Sequence, residues 1–139
     1  APRCARLFAV DTAAGAVKRA RRRCRGLDHV AIERMHLPDR LPAGRFDLIL
    51  LSEVLYYWNR RDLARIARFV GDALDPGGDV VLVHYRRATD YPLTGDAASD
   101  RFVRALHPIC RRRLGRRTRD YRIDVLQKED DPIDVRPDD

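Results

Sequence analysis

The side chains best placed for chemistry stand at the ends of apolar runs. Asp11 closes the run Leu7-Phe8-Ala9-Val10. A carboxylate at the carboxyl end of a buried strand can accept two hydrogen bonds from the vicinal hydroxyls of a ribose, and charge-assisted bonds of that kind fix orientation. A helix N-cap needs the same residue type at the same place, so both roles stand open. Glu53 follows Phe46-Asp47-Leu48-Ile49-Leu50-Leu51-Ser52; it can hold an amine or start a helix. Tyr56, Tyr57 and Trp58 come next, as an aromatic wall of the kind that meets a sugar ring or as part of the core. His84 and Tyr85 end the run that begins at Val80. His84 is the best-placed general base, because imidazole titrates near neutrality; a purely structural histidine is the alternative.

Other chemistries find little support. Cys4, Cys24 and Cys110 are odd in number, widely spaced and contain no CxxC pair, which argues for free thiols and against a zinc site. His29, His36 and His107 are not grouped with acidic or cysteine ligands. No Ser-His-Asp set or nucleophile elbow can be read.

The elements that must position these groups follow from apolar periodicity. Leu7 to Asp11 and Val30 to Ile32 read as short strands, with a helix over residues 12 to 25 between them. Phe46 to Leu51 reads as a strand buried on both faces. A helix from Asn59 to Asp75 places Leu63, Ile66, Ala67, Val70 and Leu74 on one stripe. Pro76-Gly77-Gly78 ends it, and Val80 to Val83 is the next strand. Residues 86 to 95 read as a loop, 96 to 106 as a helix with Phe102, Val103 and Leu106 inward. Residues 111 to 117 and 121 to 125 read as a terminal antiparallel pair. Strand, helix, strand in this order is a right-handed crossover unit of an open parallel sheet, whose ligands sit at the carboxyl ends of the strands.

The phrase Phe46 to Trp58, followed by Leu74-Asp75-Pro76-Gly77-Gly78, resembles the second half of a class I S-adenosylmethionine-dependent methyltransferase. Within that superfamily it is similar to the NodS-like nodulation methyltransferases, over roughly Leu7 to Lys128. The resemblance implies an α/β, Rossmann-like sheet, mostly parallel with a terminal antiparallel hairpin. It implies S-adenosylmethionine as cofactor, with Asp11 and Thr12 at the ribose, and Glu33, Arg34 and Met35 at the adenine. Ser52, Glu53 and Val54 would line the cofactor's methionine part, and Tyr56, Tyr57 and Tyr85 the acceptor. It further implies N-methylation of an amine, such as the free amine of a deacetylated chitooligosaccharide, with Glu53 or His84 removing the proton. Such a domain begins with a strand and a glycine-rich loop. Asp11 has ten residues before it and no G-x-G occurs, so the chain is expected to be N-terminally incomplete. An inactive fragment, or one completed by self-association or a partner chain at an open sheet edge, is therefore the alternative.

Composition sets the outer bounds. The 139 residues suffice for one domain: a partial methyltransferase domain over 1–128 and an acidic, disordered tail over 129–139. No apolar run reaches the ~18 residues of a membrane span, and no secretory signal is visible, so a cytoplasmic protein is expected. The net charge is +7, and Lys18 and Lys128 are the only lysines among 28 basic residues. The clusters at residues 19–23 and 111–117 lack interleaved aromatics, which makes an arginine-rich nucleic-acid binder the weakest reading.

Overall fold

The computed structural model describes residues 3–87 and 90–130. The expected tail beyond residue 130, and Thr89 of the expected loop, lie outside the described residues. The chain divides into two compact units, residues 1–42 and 43–139.

The first unit is one strand–helix–strand. β1 (Leu7–Asp11) and β2 (Val30–Arg34) are parallel, paired from Leu7 with Val30 to Asp11 with Arg34. The intervening α1 (Ala14–Arg23) turns Val17 inward, where it is buried. Just before the helix the Asp11 Oδ1 accepts the Ala13 N–H at 2.7 Å, a local side-chain turn that leads the chain into α1; the N-cap, Ala13, has no side-chain cap. Arg21, Arg22 and Arg23 fill its last turn, the sign favoured by the helix dipole.

The second unit is a four-stranded sheet in the order β3-β4-β6-β5. β3 (Phe46–Ser52) and β4 (Leu74–Tyr85) are parallel; β6 (Tyr121–Lys128) runs antiparallel to both β4 and β5 (Cys110–Arg117). The crossover from β3 to β4 is a single 3₁₀ turn (Leu55–Tyr57) and α2 (Arg60–Ala73), capped by the Asn59 side chain on the Asp62 N–H. All five residues of the anticipated stripe are buried. The glycine pair belongs to the start of β4 itself, not to a separate turn before the strand. Gly78 stands there because a Cβ would lie 2.9 Å from the Asp75 carbonyl oxygen and 3.0 Å from that of Asp47. α3 (Gly95–Leu106) is capped by the Thr94 hydroxyl on the Ala97 N–H, with Phe102 and Leu106 buried and Val103 half-buried.

Val80, Leu82 and His84 of β4 pair with Leu126, Asp124 and Arg122 of β6, and all six are buried. The opposite face is less covered. β3 is not buried on both sides as anticipated: Leu48 is 54% and Leu50 58% exposed. Leu51, one residue on, is buried, so the strand alternates between a covered and an open face.

Candidate active site

The carboxyl end of β3 carries the unusual backbone. Ser52 pairs with Val83, and the Glu53 N–H still donates to the Val83 carbonyl at 2.9 Å. The chain then leaves the sheet through Glu53 at φ 56°, the one non-glycine residue with positive φ among the described residues. A left-handed residue with a Cβ costs roughly 1–2 kcal/mol, and such strain concentrates at functional sites. The turn brings the Glu53 side chain back over the 3₁₀ turn. Its Oε2 accepts the Tyr56 hydroxyl at 2.5 Å. Its Oε1 is buried and has no hydrogen-bond partner among the described residues. A buried carboxylate oxygen without a partner is an acceptor site left open for a donor.

His84 holds this turn from beneath. It is fully buried, and its Nε2 accepts the N–H groups of Val54 at 3.4 Å and Leu55 at 3.2 Å. Accepting at Nε2 fixes the neutral tautomer with the proton on Nδ1. Burial, with Arg122 adding to it and Asp124 opposing it, pushes the imidazole down from 6.5 to about 4. The general-base expectation for His84 therefore meets a geometry of another kind: the lone pair that would take a proton is committed to two backbone donors.

Above the turn lies an aromatic cluster. Tyr56 is buried; its ring packs 5.0 Å from Tyr57, edge-on 5.8 Å from His84, and stacks 5.2 Å from Tyr91 at an interplanar angle of 10°. Burial first, then the Glu53 hydrogen bond and charge, hold the Tyr56 hydroxyl well above its ordinary value of 10. Tyr91 was not among the sequence candidates. It sits in the segment before α3, where periodicity is silent; the available signal was an aromatic residue in a loop at a strand's carboxyl end. Gly95 sets where that segment re-enters the fold, since a Cβ there would lie 1.9 Å from the Tyr85 carbonyl oxygen. Tyr85 itself faces away from the expected acceptor wall: its ring meets Tyr121 of β6 at 5.5 Å. The alternation of β4 turns His84 and Tyr85 to opposite faces of the sheet.

In the first unit, the Asp11 Oδ1 accepts from the Ala13 N–H in the turn before α1, while the exposed carboxylate keeps its second oxygen without a hydrogen bond among the described residues. The N-cap expected at Asp11 is instead Ala13, which has no side-chain cap, so Asp11 shapes the turn into α1 and keeps an oxygen for a ligand. The Thr12 carbonyl accepts from the Arg34 Nε at 3.0 Å. Glu33 pairs with Arg40 at 3.5 Å. Met35 is buried and its N–H donates to the Asp11 carbonyl at 3.1 Å, which makes it a core residue of this unit. Lys18, Arg21, Arg22, Arg25 and Arg34 line a groove along α1. Among the described residues no cluster of three or more potential metal ligands exists, and no helix is long and apolar enough to cross a membrane.

Parallel β-α-β units with a carboxylate at the end of the first strand, joined in sequence to a parallel pair extended by an antiparallel hairpin, define the Rossmann-like fold of a class I S-adenosylmethionine-dependent methyltransferase. The chain belongs to the methyltransferase-domain family, which matches residues 1–80. It is 35% identical over 91 residues to nodulation protein S of Rhizobium tropici, an alignment that covers 63% of this chain and 37% of that protein. The match thus spans little more than a third of the curated relative's length. In structure it is similar to a candidate methyltransferase from Pseudomonas syringae, with 31% identity, a TM-score of 0.78 and coverage of 91% of this chain and 76% of that one. It is similar in fold to the N-methyltransferase NodS from Bradyrhizobium japonicum WM9, with 23% identity, a TM-score of 0.78 and coverage of 94% and 77%.

Proposed function

We propose that the protein acts as a NodS-like, S-adenosylmethionine-dependent N-methyltransferase on an amine acceptor. The observation that carries the amine is Glu53, held in a strained conformation with one buried carboxylate oxygen lacking a partner. A structure of NodS from Bradyrhizobium japonicum WM9 in complex with S-adenosylhomocysteine, at a TM-score of 0.75 and 22% identity, supports the choice of cofactor. The chain's own residues fit that cofactor in the first unit: Asp11 retains lone pairs for a ribose hydroxyl, and Glu33 with Arg34 ends the neighbouring strand where an adenine edge would be met. When bound, the cofactor supplies an activated methyl group on a sulfonium.

The protein's share is alignment and proton handling. An amine attacks only in its neutral form, so an ammonium must first give up a proton. The Glu53 Oε1 accepts a hydrogen bond from the ammonium and takes that proton, freeing the nitrogen lone pair. The Tyr56 hydroxyl holds the carboxylate in place from Oε2, and His84 holds the backbone of the turn. Fixing the nitrogen in line contributes several kcal/mol, up to about 10. A deacetylated chitooligosaccharide is the acceptor that the resemblance to the NodS-like family implies. Incubating the protein with labelled S-adenosylmethionine and a partly deacetylated chitooligosaccharide tests this, with transfer of label to the sugar expected. A folded chain that binds cofactor yet labels no amine would overturn the amine assignment.

A specific observation favours a second reading. β3 is an edge strand of its sheet, and it is apolar, with Leu48 and Leu50 exposed. Such an edge favours pairing with another chain. Self-association or a completing partner then restores activity that the chain alone lacks. Size-exclusion chromatography across a dilution series separates the readings: a dilution-resistant monomer with full activity removes the second.

A further inference from the structure

We propose that Tyr91 and Tyr57 form, beside Glu53, an aromatic corner that receives the positively charged nitrogen of the acceptor and of its methylated product. The inference rests on the amine reading above and adds to it the groups that select charge. Tyr91 lies nearly parallel to the buried Tyr56, which covers one of its faces, yet the residue is 41% exposed. Tyr57, 53% exposed, meets Tyr91 at 4.4 Å with the ring planes inclined by 60°. Its hydroxyl donates to that of Tyr91 at 3.2 Å, which fixes the angle between the rings. Tyr56 joins this pair to Glu53, stacking on one and donating to the other.

Two inclined aromatic rings beside a carboxylate attract a cation through the ring quadrupoles and through charge. The basic residues of the same segment are directed elsewhere. Arg86 pairs with Asp96 and the Thr118 carbonyl, and Arg87 with Asp120. Neither fills the corner. The chemistry of the product favours rings over acceptors alone. Each methyl transferred to an ammonium removes an N–H donor but leaves the charge, so contact with an aromatic face persists where a hydrogen bond is lost.

The test uses choline and its uncharged isostere 3,3-dimethylbutan-1-ol as probes, titrated into the 139-residue protein and followed by chemical-shift changes of the tyrosine rings. Choline is expected to bind about tenfold more tightly than the alcohol. Tyr91→Ala is expected to remove most of that preference, and Tyr91→Phe to keep it, because the ring and not the hydroxyl faces the cation. Tyr91→Leu, which keeps apolar bulk, is expected to behave as Tyr91→Ala does. Equal affinity for the two probes, or unchanged choline binding in Tyr91→Leu, overturns the proposal. Calorimetry with S-adenosylhomocysteine separates it from the methyltransferase reading. Choline preference without cofactor binding leaves the corner standing and shows that this chain alone does not act as the methyltransferase; cofactor binding without choline preference defeats the corner and leaves the methyltransferase reading standing.

Discussion

The Arg122 Nε donates to the Asp124 Oδ2 at 2.6 Å, two residues along one face of β6, and both side chains are fully buried. Arg112 meets Asp124 from β5, and Asp100 of α3 meets Arg122 at 2.6 Å. The pair therefore ties the terminal hairpin to α3. A buried ion pair gains little over an apolar one, but breaking it from one side strands a charge, at about 3–5 kcal/mol. Arg122→Met is expected to cost about that much, read as a lower urea midpoint. The double variant Arg122→Met with Asp124→Leu should cost clearly less than the sum of the single changes. Additive costs would show that the two groups are not coupled.

His84 makes stability depend on pH. The unfolded imidazole takes up its proton near 6.5 and the folded one only near about 4. Between those values the unfolded chain binds more protons, so stability falls as the pH falls. The contribution is fully present above about 6.5 and is lost as the pH drops through about 4, by about 3 kcal/mol in total. His84→Gln, which keeps an acceptor for the Val54 and Leu55 N–H groups, should flatten the profile over that window. His84→Leu should destabilise at every pH, because two donors lose their partner. Urea midpoints measured from pH 4 to pH 8 decide it; a parallel shift of the whole curve in His84→Gln would contradict the assignment.

Much of the second unit was legible because its elements have strong periods. The α2 stripe from Leu63 to Val70 and the alternation at Tyr121 to Val125 each name a structure on local grounds. The open face of β3 was not legible. A run such as Phe46 to Leu51 has no polar side, and apolar sequence states that burial is favourable, not that a covering element is present. The turn at the site was harder still. Nothing in Ser52-Glu53-Val54 marks Glu53 for a left-handed conformation that glycine adopts more readily. Nor does sequence show that His84 lies beneath Leu55, 29 positions away, since that proximity comes from sheet register. Asp11 was placed correctly as a strand end because one carboxylate satisfies a local rule, while its ligand role needs a partner outside the chain.

Glu53 offers a test of strain kept for function. Glu53→Gly relieves the positive φ and removes a buried oxygen that lacks a partner. Glu53→Gly and Glu53→Ala both strip the buried Tyr56 hydroxyl of its acceptor, but only glycine relieves the φ, so Glu53→Gly should be about 1 kcal/mol more stable than Glu53→Ala. Methyl transfer to amines should be lost in the same variant, since the group that takes the proton is gone. Tyr56→Phe should keep transfer but weaken it, by releasing Oε2. A Glu53→Gly no more stable than Glu53→Ala, measured by thermal unfolding, would count against strain.

Gly95 is required by contact, not by conformation. A Cβ would stand 1.9 Å from the Tyr85 carbonyl oxygen and 3.5 Å from the His84 Cβ. The nearest obstacle is backbone, which cannot rotate away as a side chain can. Gly95→Ala should therefore cost about 1–3 kcal/mol, in the range of an overpacked core. It should also displace the segment that carries Tyr91, visible as a change in the Tyr91 ring resonances. An unperturbed spectrum with wild-type stability would show that the approach is looser than 1.9 Å implies.

Asp11 can act through the turn into α1, as a ligand, or as both. Its Oδ1 holds the Ala13 N–H at 2.7 Å, and loss of a hydrogen bond of this kind costs about 1 kcal/mol. Asparagine keeps an oxygen for that bond but lacks the charge that strengthens a hydrogen bond from a ribose hydroxyl. Asp11→Asn should therefore retain stability while binding S-adenosylhomocysteine about tenfold more weakly, and Asp11→Ala should lose both. If Asp11→Asn binds as the parent does while Asp11→Ala does not, the carboxylate acts only through α1. Calorimetry on both variants, with urea midpoints taken in parallel, assigns the residue to one role or to both.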